Sequence, residues 1–255
     1  MSTLIEVKDD AAVRLITINR PEKRNALKQE MYADMIAALT TADSAPQIRA
    51  CVITGSGEYF TSGNDLADFA AQSGEGGTTP AAEFPRVLTK MEKPILVAVN
   101  GPAVGVGVTM LLQCDLAYAA DTATFRAPFV DLALVPEGAS GLLAPAALGT
   151  MKANQLILLA ETWSAAEAAN AGLVAGVFAK SNLLEEVMAR AQKIAAKAPA
   201  AIRASKALLS HNRVQTLAFI EHAHKIFNDR VGSEEFAEAA SAFMMRRPPD
   251  FSRFT

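Results

Sequence analysis

The run Gly101-Pro-Ala-Val-Gly-Val-Gly-Val-Thr109 follows directly on the apolar segment Ile95-Leu-Val-Ala-Val99. The unbroken apolar segment predicts a strand buried on both faces. Gly and Pro then force a turn, and a helix starts after Gly105. Such a turn leaves backbone N–H groups unpaired at the helix N-terminus, aimed at whatever sits there. A second stretch, Phe60-Thr-Ser-Gly-Asn-Asp-Leu66, also follows a strand and opens toward a helix. Two turns of this kind, side by side, supply two N–H donors to one oxygen, which is the requirement of an oxyanion hole.

The rest of the chain alternates strands and helices. Ile5-Glu-Val7 and Val13–Asn19 read as two strands joined by an Asp9-Asp10 turn. Leu27, Met31, Met35, Ile36 and Leu39 have helical spacing, which predicts a helix over 27–41. Short strands are expected at 50–54, 95–99 and 115–119, and strand signals nearly vanish after Ser140. Helices are expected at 182–198, 200–210, 214–231 and 233–246. This is an α/β pattern of repeated ββα units with a helical C-terminal region. We divide it into a core over 1–195 and a helical lid or oligomer contact over 196–255. Residues 71–79, rich in small and polar types, read as a mobile loop of the sort that covers active sites.

Composition excludes several functions. The chain has 255 residues, 51% of them hydrophobic, and a formal net charge of −3, which argues for a large core and against nucleic-acid binding. No apolar run approaches the ~18–20 residues of a membrane span. The two cysteines, Cys51 and Cys114, sit in apolar surroundings and read as buried thiols of a reducing compartment. Met1–Val7 carries no leader pattern, so a bacterial cytoplasm is the expected location. His211, His222 and His224 lack metal-ligand spacing, and no metal is expected. The third glycine of a dinucleotide fingerprint would fall at Met110, and no G-x-S-x-G elbow occurs.

Five blocks taken in order resemble the crotonase (enoyl-CoA hydratase/isomerase) superfamily: Asn19–Leu27, Phe60–Leu66, Val99–Gly105, Cys114-Asp115 with Tyr118-Ala119, and Arg247–Phe254. The resemblance runs through nearly the whole chain. It implies a ClpP/crotonase-like fold, a homotrimer or hexamer, and an acyl-CoA thioester as substrate with no separate cofactor. It also implies an oxyanion hole, by position the N–H groups of Ser62 and Val106. Lys23, Arg24, Ala26, Leu27, Ser62, Gly63, Asn64, Asp65, Leu66 and Gly105 would contact the thioester or its CoA. Asn64 and Asp65 are expected to shape the oxyanion loop and cap its helix rather than do chemistry.

Hydratases of this superfamily carry two glutamates. The matching positions here are Thr109 and Phe129, neither of which is an acid or base at neutral pH. A carboxylate stands instead at Glu137, in Leu134-Val-Pro-Glu-Gly-Ala-Ser140. This pattern resembles the peroxisomal-type Δ3,Δ2-enoyl-CoA isomerases, in which that glutamate is the single base. Phe129, Leu132 and Thr109 would line the acyl pocket, and burial would raise the Glu137 pKa toward neutrality. The competing reading of Glu137 is a helix cap, and Asp131 is the nearest alternative carboxylate. The rival functions are an enoyl-CoA hydratase or related lyase, and a non-catalytic homologue that binds CoA thioesters or RNA.

Overall fold

The computed structural model describes residues 3–65, 79–210, 212–245 and 247–254. Nine strands are described: β1 Ile5–Asp10, β2 Val13–Ile18, β3 Ala50–Gly55, β4 Ile95–Val99, β5 Ala103–Val104, β6 Leu116–Ala120, β7 Thr124–Arg126, β8 Trp163–Ser164 and β9 Gly176–Phe178. Six form one sheet in the order β1-β2-β3-β4-β6-β9, and β5-β7-β8 form a second, smaller one. Only the β1–β2 pair of the large sheet is antiparallel. The fully apolar β4 is buried along its length, as expected of a strand covered on both faces. The helix Gln29–Ser44 packs on β1, β2 and β3, and the helix Leu183–Ala195 packs on β2, β3, β4, β6 and β9.

Several expectations are corrected at the edges. The first hairpin turns at Ala11-Ala12, not at Asp9-Asp10, which belong to β1. Asp9 is held there by a two-point ion pair with Arg14 across the ladder, at 2.7 and 2.9 Å. Two strands occur after Ser140. They were illegible because each is two or three residues long, and β9 is recognised only by its pairing with β6. Both cysteines are unpaired; Cys51 is buried and Cys114 half-buried. The stretch 71–78, Leu66 and His211 lie outside the described residues.

The site sits at the C-terminal ends of β3 and β4, where both chains leave the sheet. Gly101 allows this convergence, since a Cβ there would stand 1.9 Å from the Glu58 carbonyl oxygen. The C-terminal helices close over one side. Arg86, on the helix Pro80–Lys90, pairs with Glu221 on the helix Arg213–Val231 at 2.5 Å. Arg230 also donates to the Ala133 carbonyl at 3.1 Å.

Candidate active site

The two turns do come together. Thr61 bridges to Ala103, and the Val104 N–H donates to Thr61 O at 3.0 Å. The Val106 N–H opens the short helix Val106–Thr109 and has no partner among the described residues. It is therefore available as a donor.

Ser62 is not available in this way. Its N–H donates to Arg24 O at 3.0 Å, so it cannot hold a substrate oxygen without breaking that bond. The free donor of this loop is two residues on. Leu27 N–H donates to Gly63 O at 2.9 Å, and Asp65 N–H donates to Leu27 O at 2.8 Å. In such a bridge Asn64 directs its own N–H away from Leu27. That N–H has no partner among the described residues. Gly63, at φ 93°, produces the reversal, and a Cβ there would stand 3.2 Å from the Val104 carbonyl oxygen. The sequence shows a glycine at 63 but not its backbone conformation, so which N–H of this loop is left unpaired was not legible there.

The supporting loop is built on Asn25, which is fully buried and was not singled out in the sequence. Its side chain accepts from Arg20 N–H at 2.8 Å and donates to Ser56 O and Tyr59 O at 2.9 and 2.7 Å. Asp65 pairs with the buried Arg20 at 2.7 Å, which makes it a structural anchor of the loop. Of the expected CoA contacts, Lys23 and Arg24 are exposed, Ala26 is half-buried and Leu27 is buried. The Arg24 guanidinium lies over the Tyr59 ring, 5.4 Å from its centroid. Gly105 donates its N–H to Arg126 O at 2.9 Å, which aims the following residue into the site.

Glu137 lies in the turn before the helix Ser140–Leu148, and its side chain makes no capping bond to that helix. Instead, the Ser140 hydroxyl donates to the Glu137 backbone carbonyl at 2.6 Å. The carboxylate faces inward, where Oε1 is shielded from water and has no hydrogen-bond partner. Burial pushes its pKa up to about 7, against a hydrogen bond from the Asn64 side chain that favours the charged form. Phe129 and Thr109 are buried, and Leu132 is half-buried. Among the described residues the neighbouring acids are committed elsewhere. Asp131 pairs with Arg126 at 2.8 Å, and Asp115 accepts from Lys206 Nζ and Ile95 N–H, both at 2.7 Å. Trp163 is buried as part of the core.

A buried carboxyl whose pKa is raised to about 7 can move a proton next to a carbonyl, and unpaired backbone N–H groups suit an oxygen that gains charge. The enoyl-CoA hydratase/isomerase family model matches residues 8–253. The chain belongs to this family. Rat enoyl-CoA delta isomerase 2 is 37% identical over 251 residues, covering 96% of this chain. The chain spans 64% of that relative's length. The 2,3-dehydroadipyl-CoA hydratase of Escherichia coli is 32% identical over 255 residues, covering 98% of this chain and 99% of that one. An enoyl-CoA hydratase/isomerase from Pseudoalteromonas atlantica superposes with a TM-score of 0.94 at 42% identity, over 98% of this chain and all of that one. The crotonase fold expected from the sequence is thereby established. No helix among the described residues is long and apolar enough to cross a membrane.

Proposed function

We propose that this family member is a Δ3,Δ2-enoyl-CoA isomerase with Glu137 as its single acid–base group. The observation that carries the reading is Glu137 itself, with Oε1 buried and unpartnered and a pKa near 7. Oε1 takes a proton from C2 of a 3-enoyl-CoA. The electron pair moves onto the thioester oxygen, which rests between the N–H groups of Asn64 and Val106. The resulting dienolate takes the same proton at C4, and the trans-2-enoyl-CoA is released. No water is consumed, and no second acid is required. Phe129 supports this reading, because an aromatic ring where a second carboxylate would stand keeps water from the dienolate.

The full-length similarity to an Escherichia coli hydratase makes water addition the alternative. The wild-type protein is expected to convert a 3-enoyl-CoA to the conjugated 2-enoyl-CoA, followed by the rise in thioester ultraviolet absorbance. It should leave a trans-2-enoyl-CoA without added water, as judged by chromatography of the products. Efficient hydration with no double-bond migration would replace this function with the alternative.

We further propose a trimer or hexamer. Leu208, Leu209, Val214, Phe243, Met244 and Met245 are exposed on the C-terminal helices and at their ends, an apolar surface that a second copy would cover. Sedimentation equilibrium is expected to return the mass of three or six chains, whereas a monomer at micromolar concentration would remove this proposal.

A further inference from the structure

A separate cleft opens at the other end of the large sheet. It encloses about 260 Å³, and its lining includes Arg49, Lys93, Lys197 and Arg203 together with Pro94 and Ile202. Arg49 immediately precedes β3, and Lys93-Pro94 precede β4. Lys197 lies just before the helix Pro199–Leu209, which carries Arg203. Since β3 and β4 run parallel, the cleft stands at their N-terminal ends, whereas the candidate active site stands at their C-terminal ends. The six residues of β3 put ~17 Å between the two. We propose that this cleft is a second ligand site, for a compact phosphate anion such as inorganic phosphate or pyrophosphate.

The charges carry the argument. Four cations line the cleft, and no carboxylate among the described residues does. The side chains of Arg49, Lys197 and Arg203 make no hydrogen bond or ion pair among the described residues. Lys93 is only 6% exposed, and its ammonium donates to Ala42 O and Ala45 O at 2.7 and 2.6 Å. An ammonium has three donors, so one is left over. Asp43 is outside the lining and accepts from the Lys93 backbone N–H at 2.9 Å. Burial lowers the Lys93 pKa, and the charges of Arg203 and Arg49 push the same way, against that of Asp43. Four like charges gathered around one concavity, in a chain of net charge −3, repel one another unless an anion offsets them. Phosphate suits this set, because a guanidinium fork can take two of its oxygens and an ammonium binds it as a point charge. The volume falls below the ~300–1,000 Å³ of sites for drug-sized ligands, which favours phosphate or pyrophosphate over a nucleotide. The walls are also fixed in advance. Lys206, on the same helix as Arg203, donates to Lys93 O at 2.9 Å and to the Asp115 carboxylate at 2.7 Å. This pins the helix to the segment before β4, so little ordering remains to be done when an anion arrives.

Isothermal titration of the whole protein with inorganic phosphate, in chloride buffer of fixed ionic strength, should give saturable binding with a Kd below ~1 mM. Pyrophosphate, with more charge, should bind more tightly. Arg203→Gln changes an exposed side chain and should raise the phosphate Kd at least ~10-fold, as should Arg49→Gln. Lys225→Gln removes a charge from the helix Arg213–Val231, outside the cleft, and should leave the Kd within about twofold. Phosphate should also raise the melting temperature of the wild type above its value in matched chloride, and should not do so for Arg203→Gln. Should Arg49→Gln fail to fold, Arg203→Gln decides the matter alone. A Kd above that limit, unchanged binding in Arg203→Gln, or an equal loss in Lys225→Gln overturns the proposal. So does displacement of bound phosphate by CoA, which would make the cleft part of the substrate site. None of these readouts uses turnover, so they stand whichever reaction Glu137 performs.

Discussion

Glu137→Gln should lower kcat for 3-enoyl-CoA isomerisation by ~10²–10⁴-fold, the range typical of a single general acid–base group, while KM changes little. The amide matches the carboxyl in shape and can still accept from Asn64, but it cannot take a proton from C2. In the wild type, activity should rise with pH through about 7, because the base must be ionised and its folded pKa is raised from 4.5 to about 7. The same shift fixes the sign of an effect on stability. Between pH 4.5 and 7 the folded protein holds a proton that the unfolded chain has released. Stability from this group therefore falls as pH rises across that window and stays low above it, by at most about 3 kcal/mol. Glu137→Gln has no such titration. It should melt above the wild type at pH 8, with the gap closing toward pH 5. Calorimetry at the two pH values measures this. A variant that keeps wild-type turnover, or a gap of equal size at both pH values, would separate Glu137 from the role given to it.

Val106→Pro should reduce kcat by ~10²–10³-fold, the cost of removing one oxyanion donor. A proline here deletes the N–H and replaces the buried valine side chain with a ring of similar size. Val106 is the first residue of its helix, a position where proline is well tolerated because that N–H has no intrahelical partner. Gly105, at φ 58° and ψ −115°, has the mirror image of an extended conformation, which a following proline accepts. Binding of a saturated acyl-CoA should persist, since its carbonyl carries little charge and the loss falls on the enolate-like transition state. The informative comparison is Ser62→Ala, which keeps every backbone donor and should leave kcat nearly unchanged. Equal turnover in Val106→Pro and wild type would remove the oxyanion hole from the mechanism.

The fold was legible where chemistry leaves a local mark. The apolar run 95–99, the glycine turn after it and the C-terminal helices all appear in the structure, with ends displaced by a few residues. The short β8 and β9 were not legible, because two or three residues carry no periodicity and exist as strands only through their partners. The expectation for Glu137 came from its Pro-Glu-Gly setting and the absence of acids at 109 and 129, and the structure adds that its Oε1 is buried without a partner. Ser62, expected as the first oxyanion donor, has its N–H engaged by Arg24 O, and the unpaired N–H of that loop among the described residues is that of Asn64. Residue order says that a turn offers N–H groups, but which of them is free depends on what Arg24 and Leu27 accept and donate across space. Asn25 was passed over for a related reason. An asparagine before a helix is ordinary in sequence, and its importance lies in partners about thirty positions away.

Residue order alone was enough for the family and the α/β architecture, and it made Glu137 the carboxylate to expect in proton transfer. These depend on residue types and their order, which a chain displays without folding. Packing alone settles which backbone donors among the described residues are unpaired and that the Glu137 Oε1 is shielded from water. Each of these is a property of hydrogen-bond accounting and solvent exclusion. Neither exists until segments distant in sequence are packed against one another.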